Sequence, residues 1–398
     1  MAIIHGTNGG DEILGSPIGD VIYGYEGGDN ICGGGGSDKI FGGDDSDEIT
    51  GNNGNDLIYG DNGAIGEGPA DGDDFMWGGL GNDTMWGQGG NDYIDGGNGN
   101  NKMYGGTGDD VIVALEGNDT ADGGNGNDCI DVGNGVNNVK GGAGNDEIKS
   151  GTGKDTISGG GGADVIQSDG GDDNVKGDGG NDAINTAGGN DTVDGGANDD
   201  CILAGEGNDT ASGGTGNDIV LGENGNDTLN GGNGNDTLDG GADKDKVNGG
   251  EGDDVVIGGA GDDTLSGGNG SDDFVFRQAE GVPTVDTITD WDAGDQIILC
   301  GEGRLKFWVA EITLVDANPS DFDYNVDDVA IVLSNGAAIY VLNAAADFVT
   351  GDATPGSDLL EVVNPDDFDR VATCTPTCEV PPVECPTTPE PDWTGWGA

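Results

Sequence analysis

Apolar residues recur along this chain at a fixed interval of nine. Cut from Gly6, 270 residues divide into 30 nonapeptides ending at Val275. The eighth position runs Ile13, Ile22, Ile31 and onward to Phe274, and is Ile, Val, Leu, Met or Phe in 27 of the 30 units. Glu67, Ala121 and Ala211 depart from it. In a unit such as Gly231-Gly232-Asn233-Gly234-Asn235-Asp236-Thr237-Leu238-Asp239, the glycines allow a tight turn with positive φ. Positions seven to nine then form a three-residue strand whose middle side chain alone faces inward. Two units make one coil of eighteen residues, with strands on opposite sides of a thin aliphatic stack. Thirty units predict about fifteen coils and, at ~4.8 Å per coil, a rod roughly 70 Å long. The weakest stretch is Gly60 to Gly72, where Ile65 and Glu67 break both key positions although the count of nine survives.

The sixth position carries the chemistry. It holds Asp11, Asp20, Asp29, Asp38, Asp47, Asp56, Asp74, Asp83 and Asp92, then Asp110, Asp119, Asp128, Asp146, Asp155, Asp164, Asp173, Asp182 and Asp191. It continues through Asp200, Asp209, Asp218, Asp227, Asp236, Asp245, Asp254, Asp263 and Asp272, with Ile65, Asn101 and Asn137 as the exceptions. Each Asp offers a hard carboxylate, and turn carbonyls around it complete an oxygen shell. Such a shell suits calcium, whereas magnesium prefers to keep its waters. Zinc and copper want His or Cys, and the single His5, expected in a floppy terminus, cannot provide that.

Composition sharpens the picture. The 398 residues include 78 acidic against 12 basic side chains, a net charge of −66, with 32% hydrophobic residues, 5% aromatics and 87 glycines. One large oily core is not available. Such a composition alone reads as disorder, but a disordered acidic chain has no reason to hold a register of nine. The chain is therefore expected to fold when cations arrive. Without them, Asp rows ~5 Å apart repel strongly. About 28 inter-coil sites, or about 25 after the three exceptions, would offset about 50 negative charges. Nucleic acid is excluded as a partner for want of a basic surface. No apolar run approaches the ~18 residues of a membrane span, and Met1 to His5 does not read as a secretory signal.

These repeats resemble the RTX (repeats-in-toxin) calcium-binding family, whose pattern is G-G-x-G-x-D-x-U-x, over residues 6–275. The resemblance implies an all-β fold, a right-handed parallel β-roll with calcium ions in rows along its turns. It implies that each sixth-position Asp, from Asp11 to Asp272, is a calcium ligand, and that Ile65, Asn101 and Asn137 each lack one. Export to a calcium-rich exterior follows, since cytosolic calcium would leave such sites empty. Family members commonly use a type I route with an uncleaved C-terminal signal, which makes the expected location extracellular or cell-surface.

After Val275 the composition changes. Gly281-Val282-Pro283 breaks the chain, and Asp286 to Leu299 reads as strand, turn and strand. Val329 to Leu333 and Ala337 to Leu342 flank Ser334-Asn335-Gly336, a hairpin signal. This region, 276–363, resembles the cap that follows RTX repeats in serralysin-like proteases and adhesins, and a solenoid end needs one. Asp290, Asp292 and Asp295 are a further candidate calcium site or a plain surface turn. Residues 364–398 form an acidic, Pro-containing tail with Cys374, Cys378 and Cys385.

Counting units places Cys129 and Cys201 on one side, four coils and roughly 19 Å apart, too far to bridge each other, and Cys32 on the other. They read either as small outward residues or as crosslinks between subunits, with the tail cysteines pairing internally or to a neighbour. The Cys129 side also carries Phe75, Trp77, Tyr93, Val111, Val165, Ile219, Leu221, Val255 and Ile257. Exposed apolar strips usually meet something, so Val111, Cys129, Cys201, Ile219 and Leu221 are candidate contacts for self-association. The opposite side carries Thr84, Thr120, Thr156, Thr192, Thr228 and Thr264, interrupted by Lys102 and Lys246.

Catalysis recedes by subtraction. Only five residues precede the repeats, and one histidine makes a Ser–His–Asp triad improbable. A non-enzymatic, secreted structural or cell-surface protein that folds on calcium is expected. The alternatives are an adhesin or ice-binding module, or a non-catalytic accessory of an exported enzyme.

Overall fold

The computed structural model describes residues 1–61, 72–277, 284–292 and 294–300. It also describes the backbone of strands Val309–Val315, Asp328–Leu333, Ala338–Val341 and Leu360–Val363, and residues Val380, Pro381, Val383 and Cys385. Ile65, Glu67, the Gly281 break, Ser334-Asn335-Gly336, Cys374 and Cys378 lie outside these residues. The fold is all-β, a parallel β-solenoid of about 15 turns with no helix among the described residues. Two compact units are distinguished: Met1–Ser168 with Pro382–Ala398, and Asp169–Pro381.

In the first unit, strands from Ile3–His5 to Thr156–Gly161 stack in parallel as one sheet, here the first sheet. Strands from Glu12–Leu14 to Val165–Gln167 form the second sheet. Partners in register are eighteen apart, as in Val111↔Cys129 and Ile112↔Ile130. The second unit repeats the arrangement, from Asn174–Gly179 to Val285–Ile288 in one sheet. Its other sheet runs from Ala183–Asn185 to Gln296–Cys300.

The eighth positions make the core. Ile22, Ile40, Ile58, Ile94, Ile130 and Ile166 are fully buried, as are Ile202, Val220 and Leu238 in the second unit. Burying one such side chain is worth about 1.5–3 kcal/mol. The core is only one side chain per half-coil, so burial alone supports a thin structure. Most strands are longer than the expected three residues. Thr228–Asn233, for example, continues through the next unit's first three positions. Glycine makes this extension possible where neighbouring coils nearly touch. At Gly232, with φ of 115°, a Cβ would stand 2.1 Å from the carbonyl oxygen of Gly214.

One departure resets the count of units. Glu48 pairs with Phe75 and Leu57 with Thr84, a spacing of 27 in place of 18. The pairing thus skips the unit that lacks both the Asp and the apolar residue, at Ile65 and Glu67. Nothing in it supplies the inward side chain or the turn carboxylate that hold a strand in register. The consequence reaches the cysteines: Cys32 lies in Asn30–Gly35, the same sheet as Cys129–Asp131, not the opposite one.

The coil also outlasts the nonapeptides. Thr264 pairs with Thr287 and Phe274 with Ile297, so Val285–Ile288 and Gln296–Cys300 add a further turn. Val285–Ile288 then pairs in parallel with Ala338–Val341, which runs antiparallel to Asp328–Leu333 as the hairpin signal predicts. Val309–Val315 pairs antiparallel with Asp328–Leu333, and Gln296–Cys300 pairs in parallel with Leu360–Val363.

His5 is ordered rather than floppy. It pairs with Tyr23 in the first sheet, and its Nδ1 lies 2.8 Å from the Tyr25 hydroxyl. It starts a ladder of stacked rings, His5, Tyr23, Phe41, Tyr59, Trp86 and Tyr104, with centroids 4.7–5.5 Å apart.

Candidate metal-binding turns

Each turn brings its sixth-position Asp inward. From Asp20 to Asp272 these side chains are at most 3% exposed, which for a carboxylate demands partners of opposite charge or hydrogen-bond donors. Oδ1 has one. The backbone N–H of each Asp donates to Oδ1 of the equivalent Asp on the next coil. Asp92 donates to Asp110, Asp110 to Asp128 and Asp128 to Asp146, each at 2.8 Å. The same ladder runs through Asp200, Asp218, Asp236 and Asp254. Across the break in register, Asp47 donates to Asp74 and Asp56 to Asp83.

Oδ2 is the informative atom. It is buried and accepts no hydrogen bond at Asp29, Asp38, Asp47, Asp56, Asp74, Asp83, Asp92, Asp110, Asp119, Asp128 and Asp146. In the second unit the same holds at Asp200, Asp209, Asp218, Asp227, Asp236, Asp245, Asp254, Asp263 and Asp272. What faces it is another oxygen. A Cβ placed on Gly105 would stand 2.2 Å from Asp110 Oδ2 and 2.6 Å from the Gly123 carbonyl oxygen of the next coil. The first-position glycine thus preserves a small cradle lined by oxygens with no hydrogen between them. Two acceptors in so small a space call for a cation, and an all-oxygen lining suits calcium.

Electrostatics point the same way. Burial raises Asp47 and Asp110 to about 8, Asp92 to about 9 and Asp74 to about 10, with neighbouring carboxylates adding to the effect. In the second unit burial raises Asp200 and Asp245 to about 8. Among the described residues no three His, Cys, Asp or Glu side chains converge on one point. Each candidate site therefore draws on carboxylates from neighbouring coils and on turn carbonyls.

The predicted ligands are not all equivalent. Asp11 Oδ2 accepts from Thr7 N and Oγ1 at 2.5 and 2.8 Å, and Asp20 Oδ2 from Ser16 N and Oγ at 2.8 and 2.6 Å. The Ser16 hydroxyl holds the Asp20 carboxyl below its ordinary value. Asn101 and Asn137 keep the Oδ1 ladder, accepting from Asp83 and Asp119. Ile65 lies outside the described residues.

Two ligand-like residues escape the repeat count. Asp286 Oδ1 accepts from Asp263 N and Asp295 Oδ1 from Asp272 N, both at 3.1 Å. They occupy the sixth position of the added coil. The signal was present: they stand nine apart, each two residues before a buried Ile, Ile288 and Ile297. Asp290 instead accepts from Ser266 Oγ and from Gly267 N and Gly268 N, closing the last regular turn.

The proposed partner surface is partly covered by the chain itself. Cys129 forms a disulfide with Cys385, so the intersubunit crosslink expected of Cys129 is corrected. Its outward position leaves the sulfur free to meet the tail, where Cα atoms stand 5.5 Å apart, and Val383 beside it is buried. Cys201 is also disulfide-bonded, while Cys32 is a free thiol. Val111, Ile219 and Leu221 are half-buried. Ile257, Val275 and Ile298 form a buried cluster with Val255 against it, so that end of the strip is not an exposed surface.

The family described as RTX calcium-binding nonapeptide repeat (4 copies) matches a series of segments from residues 5–40 to 239–274, more than half of the chain. No curated protein sequence matches. Among solved structures, the extracellular lipase LipA from Serratia marcescens is similar at 14% identity and a TM-score of 0.22. The likeness covers 73% of this chain and 45% of the lipase, so the chain spans less than half of that enzyme. A hyperactive, Ca2+-dependent, beta-helical antifreeze protein from an Antarctic bacterium is similar at 20% identity, with 75% of this chain and 79% of that one covered and a TM-score of 0.21. At these TM-scores neither likeness carries an argument about function.

Proposed function

The chain belongs to the RTX calcium-binding nonapeptide repeat family, and from that premise we propose that it is a secreted protein that folds on extracellular calcium and serves a structural, non-catalytic role. The observation that carries this reading is the set of buried Oδ2 atoms that accept no hydrogen bond and face turn carbonyls. Bound calcium supplies the positive charge that lets these carboxylates ionise inside the fold. The chain's own contribution is geometric. Its glycines keep the cradle open, its Asp N–H ladder fixes Oδ1, and its aliphatic file sets the spacing. Sixth-position aspartates from Asp29 to Asp272, Asp119 excepted, are the ligands on this reading. Asp11 and Asp20 are the least suited, because hydroxyls already satisfy them.

Export is the second part of the proposal. The Cys129–Cys385 disulfide supports an oxidising compartment, and the sites need calcium at extracellular levels. A type I route, with residues 276–363 as cap and 364–398 as tail, fits the family. Self-association through the apolar strip is retained around Val111, Ile219 and Leu221.

The test is a calcium titration followed by circular dichroism and sedimentation velocity, with magnesium as control. A cooperative coil-to-β transition near millimolar calcium is expected, and concurrent growth in size identifies assembly. A metal-stripped chain already fully β-structured at neutral pH would overturn the mechanism.

A further inference from the structure

The turns leading into the first sheet between Asp83 and Asp155 do not offer what their neighbours offer. In the turns entering the second sheet of this stretch, at Gly105, Gly123 and Gly141, the first position is glycine, and the next coil's carbonyl and Oδ2 share one empty cradle. In the first-sheet turns Ala114, Val132 and Ser150 occupy that position and are 0–6% exposed. Where the regular turns leave two facing acceptors, the two asparagine turns place donors, and Asp119 between them keeps a buried Oδ2 that accepts no hydrogen bond. Asn137 Nδ2 donates to the carbonyl oxygens of Gly133, at 3.2 Å, and of Ser150, at 3.0 Å. Ser150 is the first-position residue of the next coil, so its carbonyl is the one that elsewhere faces Oδ2. Asn101 Nδ2 donates to Gly99 O at 3.2 Å.

The backbone differs as well. The second positions Gly97, Gly133 and Gly151 have φ of 71°, 61° and 71°, against 123°, 110° and 123° for Gly106, Gly124 and Gly142 in the turns entering the second sheet. The strands running into these turns, Tyr93–Asp95, Val111–Val113 and Cys129–Asp131, stop after three residues. Two of the shortened ends are fastened by their own side chains, with Gly97 N donating to Asp95 Oδ1 and Gly133 N to Asp131 Oδ1.

We infer that the first-sheet turns from Asn101 to Asp155 form a calcium-free seam, in which amide and core side chains stand where ions stand in the other turns. Each sixth-position residue serves the site before it and the site after it. The two asparagines and Ala114 therefore remove three consecutive sites, Asn101–Asp119, Asp119–Asn137 and Asn137–Asp155, while a Cβ on Gly78 would stand 2.7 Å from Asp83 Oδ2 and 2.8 Å from the Gly96 carbonyl oxygen, the regular cradle. The turns entering the second sheet keep Asp92, Asp110, Asp128 and Asp146 without interruption. Calcium thus lines one set of turns through this stretch, while Ala114 and Val132 widen the apolar core along the other. The inference rests on the calcium reading above.

Asp119 is the discriminating residue, because both of its neighbours in the row are asparagines. The experiment counts calcium per folded full-length chain by native mass spectrometry for the parent, Asp119→Asn and Asp128→Asn. The expected result is no ion lost from Asp119→Asn and two lost from Asp128→Asn, with the Asp119→Asn chain giving the parent's circular dichroism. Asp110→Asn repeats the comparison should Asp128→Asn fail to fold. Loss of ions from Asp119→Asn equal to that from Asp128→Asn, or failure of Asp119→Asn to fold in calcium, overturns the seam. A parent that binds no calcium overturns the calcium reading itself, which is a separate and recognisable outcome.

Discussion

Protons should substitute for calcium. In the metal-free chain, folding buries carboxylates whose oxygens face other oxygens, so each must be neutralised or the fold must open. Burial, with Asp92 nearby, lifts Asp74 from 3.8 to about 10. At about 1.4 kcal/mol per pH unit, ionising this one group in the ion-free fold opposes folding by up to about 8 kcal/mol. A whole domain is stable by only about 5–15 kcal/mol. Asp92 at about 9, with Asp47 and Asp110 at about 8, repeat the penalty within a few coils. The sign follows from linkage: the folded state holds protons that the unfolded chain releases above pH 4, so these groups favour folding in acid and lose that contribution as pH rises through 8 to 10. The metal-free chain is thus expected to be largely unfolded at pH 8 and to gain β-structure as pH falls toward 4. Calcium should make folding nearly independent of pH across that range. The assay is far-UV circular dichroism on protein stripped with a chelating resin, since a soluble chelator itself fails in acid. A metal-free chain equally folded at pH 8 and 4, or one that loses structure as pH falls, would refute the reasoning.

Three other outcomes follow from the geometry. Gly141→Ala places a Cβ 2.3 Å from Asp146 Oδ2 and 2.5 Å from Gly159 O; it should raise the calcium midpoint of folding by tenfold or more, whereas Ala114→Gly should shift it little. Cys385→Ser releases a link between residues 256 apart, worth about 5 kcal/mol on the chain-entropy account; urea unfolding in calcium should move to lower denaturant, and Cys129 should become reactive to a thiol reagent. If Cys129 labels as readily in the parent, the tail is not fastened there. Charged substitutions at Val111, Ile219 and Leu221 should reduce self-association, and identical sedimentation of parent and variant would remove the apolar strip as a contact surface.

The repeat was legible because each position has one physical task and performs it up to thirty times. A buried Ile at the eighth position and an inward Asp at the sixth need only local geometry to be read. The failures mark where local geometry stops deciding. Residues 62–71 keep the count of nine, yet the described strands on either side pair at a spacing of 27 in place of 18. That one skipped unit moves Cys32 to the side of Cys129, which no unit count could show. Asp286 went unread, and Asp295 was read only as part of a turn site with Asp290 and Asp292, because five extra residues interrupt the count before them, although their own spacing of nine and the following Ile residues continue the pattern. The Cys129–Cys385 bond was illegible for a different reason: an outward seventh position states that a sulfur is exposed, not what arrives at it.

The exceptions to the pattern sort by which atom is lost and what replaces it. At Asp11 and Asp20 the carboxylate remains, and Thr7 and Ser16 bring hydroxyls to Oδ2, so the first turns complete themselves without an ion. At Asn137 the second oxygen becomes a nitrogen, and the repulsion between facing acceptors becomes a pair of hydrogen bonds. At Thr186 the first-position glycine is replaced, and the added hydroxyl donates to the Ala204 carbonyl at 2.7 Å. In all three cases a proton donor occupies a place that elsewhere holds only acceptors. The same solenoid turn can thus be closed by a cation or by a hydrogen, and the residues at positions one, two and six decide which. A chain that mixes both closures has coils whose folding depends on calcium beside coils whose folding does not. Calcium then completes a structure whose first turns and seam are already able to form.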